Sequence, residues 1–158
     1  MLRKQPTIIV KYSGSSQVVL DASPEASRVT PGMTLQEALS RCKNHALLQA
    51  DESYYQDSFD QIIERLAQNS PSVEKSDLGC AYIEIEGLDT IYVSEAKLIT
   101  SLLQTVPRGF DPRLGLSKGK FPAYASAMVS GTGQATKTDG NIANFLKNLP
   151  IDILPIPQ

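Results

Sequence analysis

Cysteine, histidine and net positive charge are all scarce in this 158-residue chain, which holds two cysteines, one histidine and a formal charge of −2. Cys42 and Cys80 lie far apart and no CxxC pair exists. With His45 as the single histidine there is no zinc-ligand spacing, so two free thiols in a reducing compartment are expected. A dedicated nucleic-acid binder usually carries a basic balance or a concentrated basic patch, so composition argues mildly against tight autonomous DNA binding. No apolar run approaches the roughly 18 residues of a membrane span. No signal-peptide pattern, internal repeat, low-complexity segment or long like-charge run is visible. These absences predict a soluble, cytoplasmic protein with no membrane partner and no cofactor.

What is present suits one ordinary domain, or a compact core with a small appendage, because 41% of residues are hydrophobic. Thr7–Tyr12 and Gln17–Leu20, separated by Ser13-Gly14-Ser15-Ser16, predict a hairpin. Pro24-Glu25-Ala26 suits a short helical turn. Thr34-Leu35-Gln36-Glu37 has the form of a capping box, followed by Leu35, Ala38, Leu39 and Cys42 on one helical face. Residues 46–50 read as a short strand. Asp51 or Ser53 can cap a helix whose buried stripe is Tyr55, Phe59, Ile62, Ile63 and Leu66. Asn69-Ser70-Pro71 ends that helix.

Residues 80–86 read as a strand stopping at Gly87. Ser94 caps a helix with Leu98, Ile99, Leu102, Leu103 and Val106 on its inner stripe. Arg113–Ser117 is a short strand. Residues 121–129 read as a helix with Pro122 in its first turn. Ser130–Gly140 reads as a loop, and Asp139 is placed to cap a final helix carrying Ile142, Phe145, Leu146 and Leu149. The Pro-punctuated end through Leu154-Pro155-Ile156-Pro157 cannot be a helix interior. Alternation of strands and helices from about residue 46 argues for a sheet with helices packed on it.

Several stretches, in this order, resemble the Y-family (translesion) DNA polymerases. Val29-Thr30-Pro31-Gly32-Met33-Thr34-Leu35-Gln36-Glu37-Ala38-Leu39 is similar to the GV-x-x-GM-x-L-x-EA segment of the fingers. Tyr55–Ser70 with Pro71 and Glu74 looks like the palm helix and its exit. Asp77-Leu78-Gly79-Cys80-Ala81-Tyr82-Ile83-Glu84 stands where the family has S-I-D-E-A-Y-L-D. Gly115-Leu116-Ser117-Lys118-Gly119-Lys120 resembles G-I-A-x-N-K. Phe145-Leu146, Leu149-Pro150-Ile151 and Leu154-Pro155 look like the approach to a thumb. The collinear order over about residues 7–156 carries the weight.

The resemblance implies an α+β fold: a ferredoxin-like polymerase palm, its sheet with helices packed on one face, and a small fingers-like subdomain. Residues 1–45 would be fingers-like, 46–138 palm-like and 139–158 the start of a thumb-like segment. The family's first palm strand, D-x-D-x-F-F, has no counterpart.

The resemblance also marks which functional positions have changed. Polymerase chemistry uses two divalent metals held mostly by carboxylates. The D-E positions are here Gly79, which offers no ligand, and Cys80, a poor magnesium ligand. Asp77 lies two positions earlier, roughly 6–7 Å away along a strand. Glu84 matches the peripheral carboxylate at the end of the motif. The Y-E-A-R of the fingers aligns with Pro24-Glu25-Ala26-Ser27, with Arg28 adjacent, so Pro24 and Ser27 replace phosphate-holding Tyr and Arg. The lysine of Lys-Pro-x-Gly becomes Ser130. A charge-assisted phosphate contact has no equal in a serine.

Loss at Pro24, Ser27, Gly79, Cys80 and Ser130 together resembles the ImuB-type branch. It predicts no catalytic or metal residues and no enzyme activity, but a scaffold or adaptor in DNA repair, translesion synthesis or damage-induced mutagenesis. The partners would be other repair or replication proteins and, weakly, DNA. Arg108, Arg113, Lys118 and Lys120 are the candidate DNA-backbone contacts; the alternative is an ordinary solvated basic surface. Ser130-Gly131-Thr132-Gly133 lacks the strand–loop–helix setting of a phosphate loop and reads as plain loop. Cys80 reads as a small buried residue, Tyr55 as core and His45 as a loop or strand-edge residue, while Tyr54 is open to base stacking. Two other readings stand beside the scaffold. One is a fragment of an active DNA-directed nucleotidyltransferase whose missing strand is supplied elsewhere. The other is an unrelated α/β interaction domain.

Overall fold

A computed structural model describes residues 5–88 and 91–153. The Leu154-Pro155 stretch read as part of the thumb approach lies outside the described residues. The chain divides into two compact units, Met1–Tyr54 and Tyr55–Gln158.

The first unit begins with the expected hairpin, β1 (Thr7–Ser13) and β2 (Ser16–Ala22). Gly14 takes φ 61° in its turn, a conformation that costs glycine little. A register shift between Ile9 and Val10 marks a bulge. β3 (Ala46–Gln49) returns parallel to β1, giving the sheet order β2-β1-β3. Alternation along β1 buries Ile8 and Val10 on one face, where they meet Val19, Ala26, Val29, Ala38 and Cys42. Helix α1 (Leu35–Arg41) supplies part of that cover. Its capping box is complete, because the Thr34 hydroxyl accepts from the Glu37 N–H while Glu37 accepts from the Thr34 N–H. Leu39, placed on the buried face by spacing, is exposed. Pro24–Ala26 forms a single 3-10 turn.

Helix α2 (Glu52–Ala67) starts at Asp51, whose carboxylate accepts from the Tyr54 N–H. It carries Phe59, Ile62 and Leu66 into the core of the second unit, against Leu98 and Leu102 of α3 (Glu95–Thr105) and Leu88. Burying each of these side chains stabilises by about 1.5–3 kcal/mol. Ser94 caps α3 as its spacing predicts. The side chain of Asn69 ties this layer together. It donates to the Thr105 hydroxyl and accepts from Tyr92 and Ser101.

Two small sheets lie in this unit. β4 (Val73–Lys75) pairs antiparallel with β5 (Ala81–Ile83), and β6 (Leu114–Leu116) pairs parallel with β7 (Ala135–Lys137). Helix α4 (Lys120–Val129) makes the crossover between β6 and β7. Its backbone presses on Gly115 so closely that a Cβ there would stand 1.9 Å from the Ala123 carbonyl oxygen and 2.4 Å from the Ala127 nitrogen. The Ser126 hydroxyl, fully buried, is 2.7 Å from the Thr138 hydroxyl and locks the helix to the end of β7.

Strands β4 and β7 are not expected from the sequence, which places β7 inside a loop. Each is three residues long, too short to show a period. Helix α5 (Ile142–Lys147) is capped by Asn141, which accepts from the Asn144 N–H, and not by Asp139, which pairs with Lys137. The architecture is α+β, as expected. Among the described residues no helix is long and apolar enough to cross a membrane.

Candidate functional site

Three side chains meet on one face of the β4–β5 ribbon. In an antiparallel ladder, directly opposed residues point the same way. Val73 with Ile83, and Lys75 with Ala81, therefore face the α2–α3 layer, while Glu74 with Tyr82 face the other side. Consistently, Lys75 lies over the Phe59 ring and pairs with Asp60 of α2. On the opposite side, Lys120 reaches across from the start of α4. Its ammonium is 2.5 Å from the Glu74 carboxylate and 5.5 Å from the centre of the Tyr82 ring. Gly119 makes this approach possible by taking φ 96° just before the helix.

Cys80 shares the outer face with Tyr82, two residues along the strand. Burial pushes the Cys80 thiol up from its ordinary value, the charge of Asp77 adds to the rise, and Tyr82 opposes it. Burial likewise raises the Tyr82 phenol, helped by Cys80 and Tyr124, while Lys120 pulls it down. The thiol is therefore held in its neutral form, a poor nucleophile and a poor ligand. Lys120, Glu74, Tyr82, Tyr124, Cys80 and Asp77 make up the cluster. Of these, Glu74, Asp77, Cys80, Tyr82 and Lys120 fall within the motif stretches, and Tyr124 does not. Glu74 and Tyr82 become neighbours through strand register, which no local pattern records.

The other expected positions fall around this cluster or apart from it. Gly79 sits exposed with φ 84° in the turn between β4 and β5, where the Cys80 N–H donates to the Asp77 carbonyl. Lys118 is exposed in the turn before α4 and Arg108 in the loop after α3. The Arg113 guanidinium is 3.5 Å from the Met128 carbonyl oxygen at the end of α4. Ser130 caps the C-terminus of α4 and is buried, with no partner for its hydroxyl among the described residues. Pro24 and Ser27 belong to the first unit, both exposed on the 3-10 turn. An apolar cavity of about 270 Å³ lies elsewhere, lined by Phe121, Leu146, Leu149, Pro150, Ile151 and Ile153.

A magnesium pair does not fit the residues that occupy this turn. Gly79 offers no donor, Cys80 offers a neutral thiol, and the Glu74 carboxylate is taken by Lys120. Among the described residues no three His, Cys, Asp or Glu side chains gather into a metal cluster.

The second unit is thus an α+β arrangement of short sheets on a helical layer, with a lysine held over its outer face. The chain belongs to the impB/mucB/samB (IMS) family, whose model matches residues 1–126. It is similar to the DNA polymerase IV of Dehalococcoides mccartyi (strain CBDB1), with 26% identity over 98% of this chain and 41% of that protein. It is also similar to the DNA polymerase IV of Picrophilus torridus, with 26% identity over 98% of this chain and 46% of that protein. Among solved structures, a post-insertion binary complex of Dbh DNA polymerase superposes with TM-score 0.80 at 20% identity, covering 97% of this chain and 47% of that one. DinB from Sulfolobus solfataricus superposes with TM-score 0.74 at 20% identity, over 96% and 46%. These likenesses show the palm-and-fingers fold. The chain spans less than half the length of the relatives named here.

The expectation that this protein is not an enzyme is overturned by these relatives. They carry the names of DNA polymerases, and the likeness to them runs the length of this chain. That expectation leans on a few scattered positions, chiefly the turn at Gly79 and Cys80. Metal and phosphate contacts in a polymerase are gathered from several segments, so substitutions inside one part do not decide the activity of a longer protein.

Proposed function

We propose that this chain is the fingers-and-palm segment of a Y-family DNA polymerase, acting within a longer polypeptide on primer–template DNA during repair or translesion synthesis. The observation that carries the reading is the collinear likeness to proteins named DNA polymerase IV over 98% of the chain. Residues 1–45 act as fingers, 46–138 as palm, and 139–158 lead into a thumb. DNA is the main partner. Lys118, exposed beside the start of α4, and Arg108 and Arg113 touch its phosphates. Lys120 joins them by exchanging Glu74 for a phosphate when DNA arrives. The compartment is the cytoplasm.

A second role is favoured by one specific observation, the replacement of acidic positions by Gly79 and Cys80. It is service as a scaffold that holds other repair or replication proteins beside the DNA. No step through a metal is assigned to this segment. Primer extension by the full-length gene product with Mg²⁺ tests the first reading. Template-directed incorporation supports it, and complete absence of incorporation under conditions where the protein binds primer–template contradicts it.

A further inference from the structure

Lys120 is the first residue of α4. A helix start favours a negative charge and disfavours a cation. Yet α4 has no side-chain cap and no acidic residue in its first turn. The balancing anion comes from a different element. Glu74 of β4 brings both carboxylate oxygens to 2.5 Å from the Lys120 ammonium. Strand register makes this pairing selective. Lys75, next along β4, turns to the opposite face and takes Asp60 of α2. Glu74 and Tyr82, opposed across the ribbon, are left on the outer face with Lys120. Among the described residues neither Lys120 nor Glu74 has another ion-pair partner.

The pair is held but not sealed. Both side chains are more than half exposed, so water and salt screen the attraction and an incoming anion can reach the ammonium. Glu74 meets Lys120 with two oxygens, as a nucleic-acid phosphate would. Lys118, two residues earlier, is exposed and has no ion-pair partner among the described residues. Two neighbouring lysines thus differ in one respect. Lys118 is open to an anion, and Lys120 already holds one that belongs to the protein.

We propose that Glu74 is an internal stand-in for phosphate, which occupies Lys120 in the DNA-free protein, yields it when primer–template binds, and thereby restrains DNA affinity. The proposal rests on the reading of this chain as a DNA polymerase segment, and adds to it an autoinhibitory carboxylate. Its size follows from the exposure of the pair. An exposed ion pair favours its closed state over its open one by a factor of about 1.4 to 5. Affinity is lowered by the fraction of molecules whose lysine is free, so Glu74 weakens binding by about 2- to 6-fold.

The test is fluorescence anisotropy of the full-length gene product with labelled primer–template across a salt series, with circular dichroism to confirm that each variant is folded. Glu74→Gln tightens binding by about 2- to 6-fold. Lys120→Ala weakens it and reduces the slope of log affinity against log salt by about one. In the Lys120→Ala background Glu74→Gln has no further effect, because the carboxylate acts only through the lysine. Glu86→Gln removes an exposed negative charge outside the pair and changes affinity by less than about 2-fold. Binding that is unchanged or weaker in Glu74→Gln overturns the proposal. So does equal tightening with and without Lys120, which would make Glu74 a general repulsive charge. Loss of neither affinity nor slope in Lys120→Ala also overturns it, while template-directed extension would leave the polymerase reading intact. A Glu74→Gln gain in a protein that adds no nucleotide sinks the polymerase reading and keeps the restraint. Absence of primer–template binding even at low salt overturns both.

Discussion

In the first unit β1 has a neighbour on each side, and the outer edge of β2 is closed by the Val19 N–H donating to the Met33 carbonyl and the Gly32 N–H to the Val19 carbonyl. In the second unit, among the described residues, β5 and β6 each have a single paired neighbour, over a shared core. The first is a finished small sheet with a capped helix. The second is a helical layer carrying two two-stranded ribbons, and its candidate functional groups lie on the β4–β5 ribbon and helix α4 rather than on the α2–α3 layer. Sheet closure and candidate chemistry are thus distributed unevenly between the two units.

The largest test of this contrast is Gly115→Val. The new side chain meets the α4 backbone, which cannot move aside, so the second unit should lose about 3 kcal/mol or more of stability in denaturant titration. Tryptophan is absent, so circular dichroism is the readout, with exchange at Val10 and Val19 reporting that the first unit is spared. Loss of protection at Val10 and Val19 as well would show that the two units unfold together. Next, Ser126→Ala leaves the Thr138 hydroxyl unpaired in a buried position, a cost of about 1–3 kcal/mol in the same titration. In the first unit Thr34→Ala removes one half of the capping box, about 1 kcal/mol.

The capping box also sets a pH dependence. The Thr34 N–H and hydroxyl hold the Glu37 carboxyl below its ordinary value. A group depressed in the folded state contributes stability above its unfolded pKa and loses it as pH falls through the folded one. The Glu37→Gln variant should therefore show a shallower acid loss in the first unit than the parent. The smallest effect is expected for Lys120→Ala. Its ion pair with Glu74 is more than half exposed, so stability should change by less than about 1 kcal/mol. Yet the Tyr82 phenol should titrate at higher pH, because the cation that pulls it down is gone. An unchanged Tyr82 titration would detach Lys120 from the outer face.

Long periodic elements are legible in the sequence. The stripe of Phe59, Ile62 and Leu66 announces α2, and the Thr34/Glu37 and Ser94 signals place two helix starts to the residue. Of the three-residue strands, β5 and β6 are read from the longer stretches around them, whereas Val73–Lys75 and Ala135–Lys137 are not legible, because they hold no full period and exist only through their partners. Asp139 looks like a cap, but it is Asn141, immediately before Ile142, whose side chain meets the first orphan amides of α5. Of the site, Lys120, Cys80 and Glu74 stand in the motif stretches. That Glu74 meets Tyr82 and Lys120 requires the register of β4 on β5, and Tyr124 requires the packing of α4. The sequence shows Gly79 and Cys80 plainly as residues that cannot hold magnesium. It does not show what they mean for activity, because the chain is similar along 98% of its length to proteins named DNA polymerase IV.

The most direct measurement is single-nucleotide primer extension by the full-length gene product, with each of the four templating bases in turn. Incorporation that follows the templating base is the predicted result. A protein that binds primer–template and adds no nucleotide opposite any base would contradict the central claim.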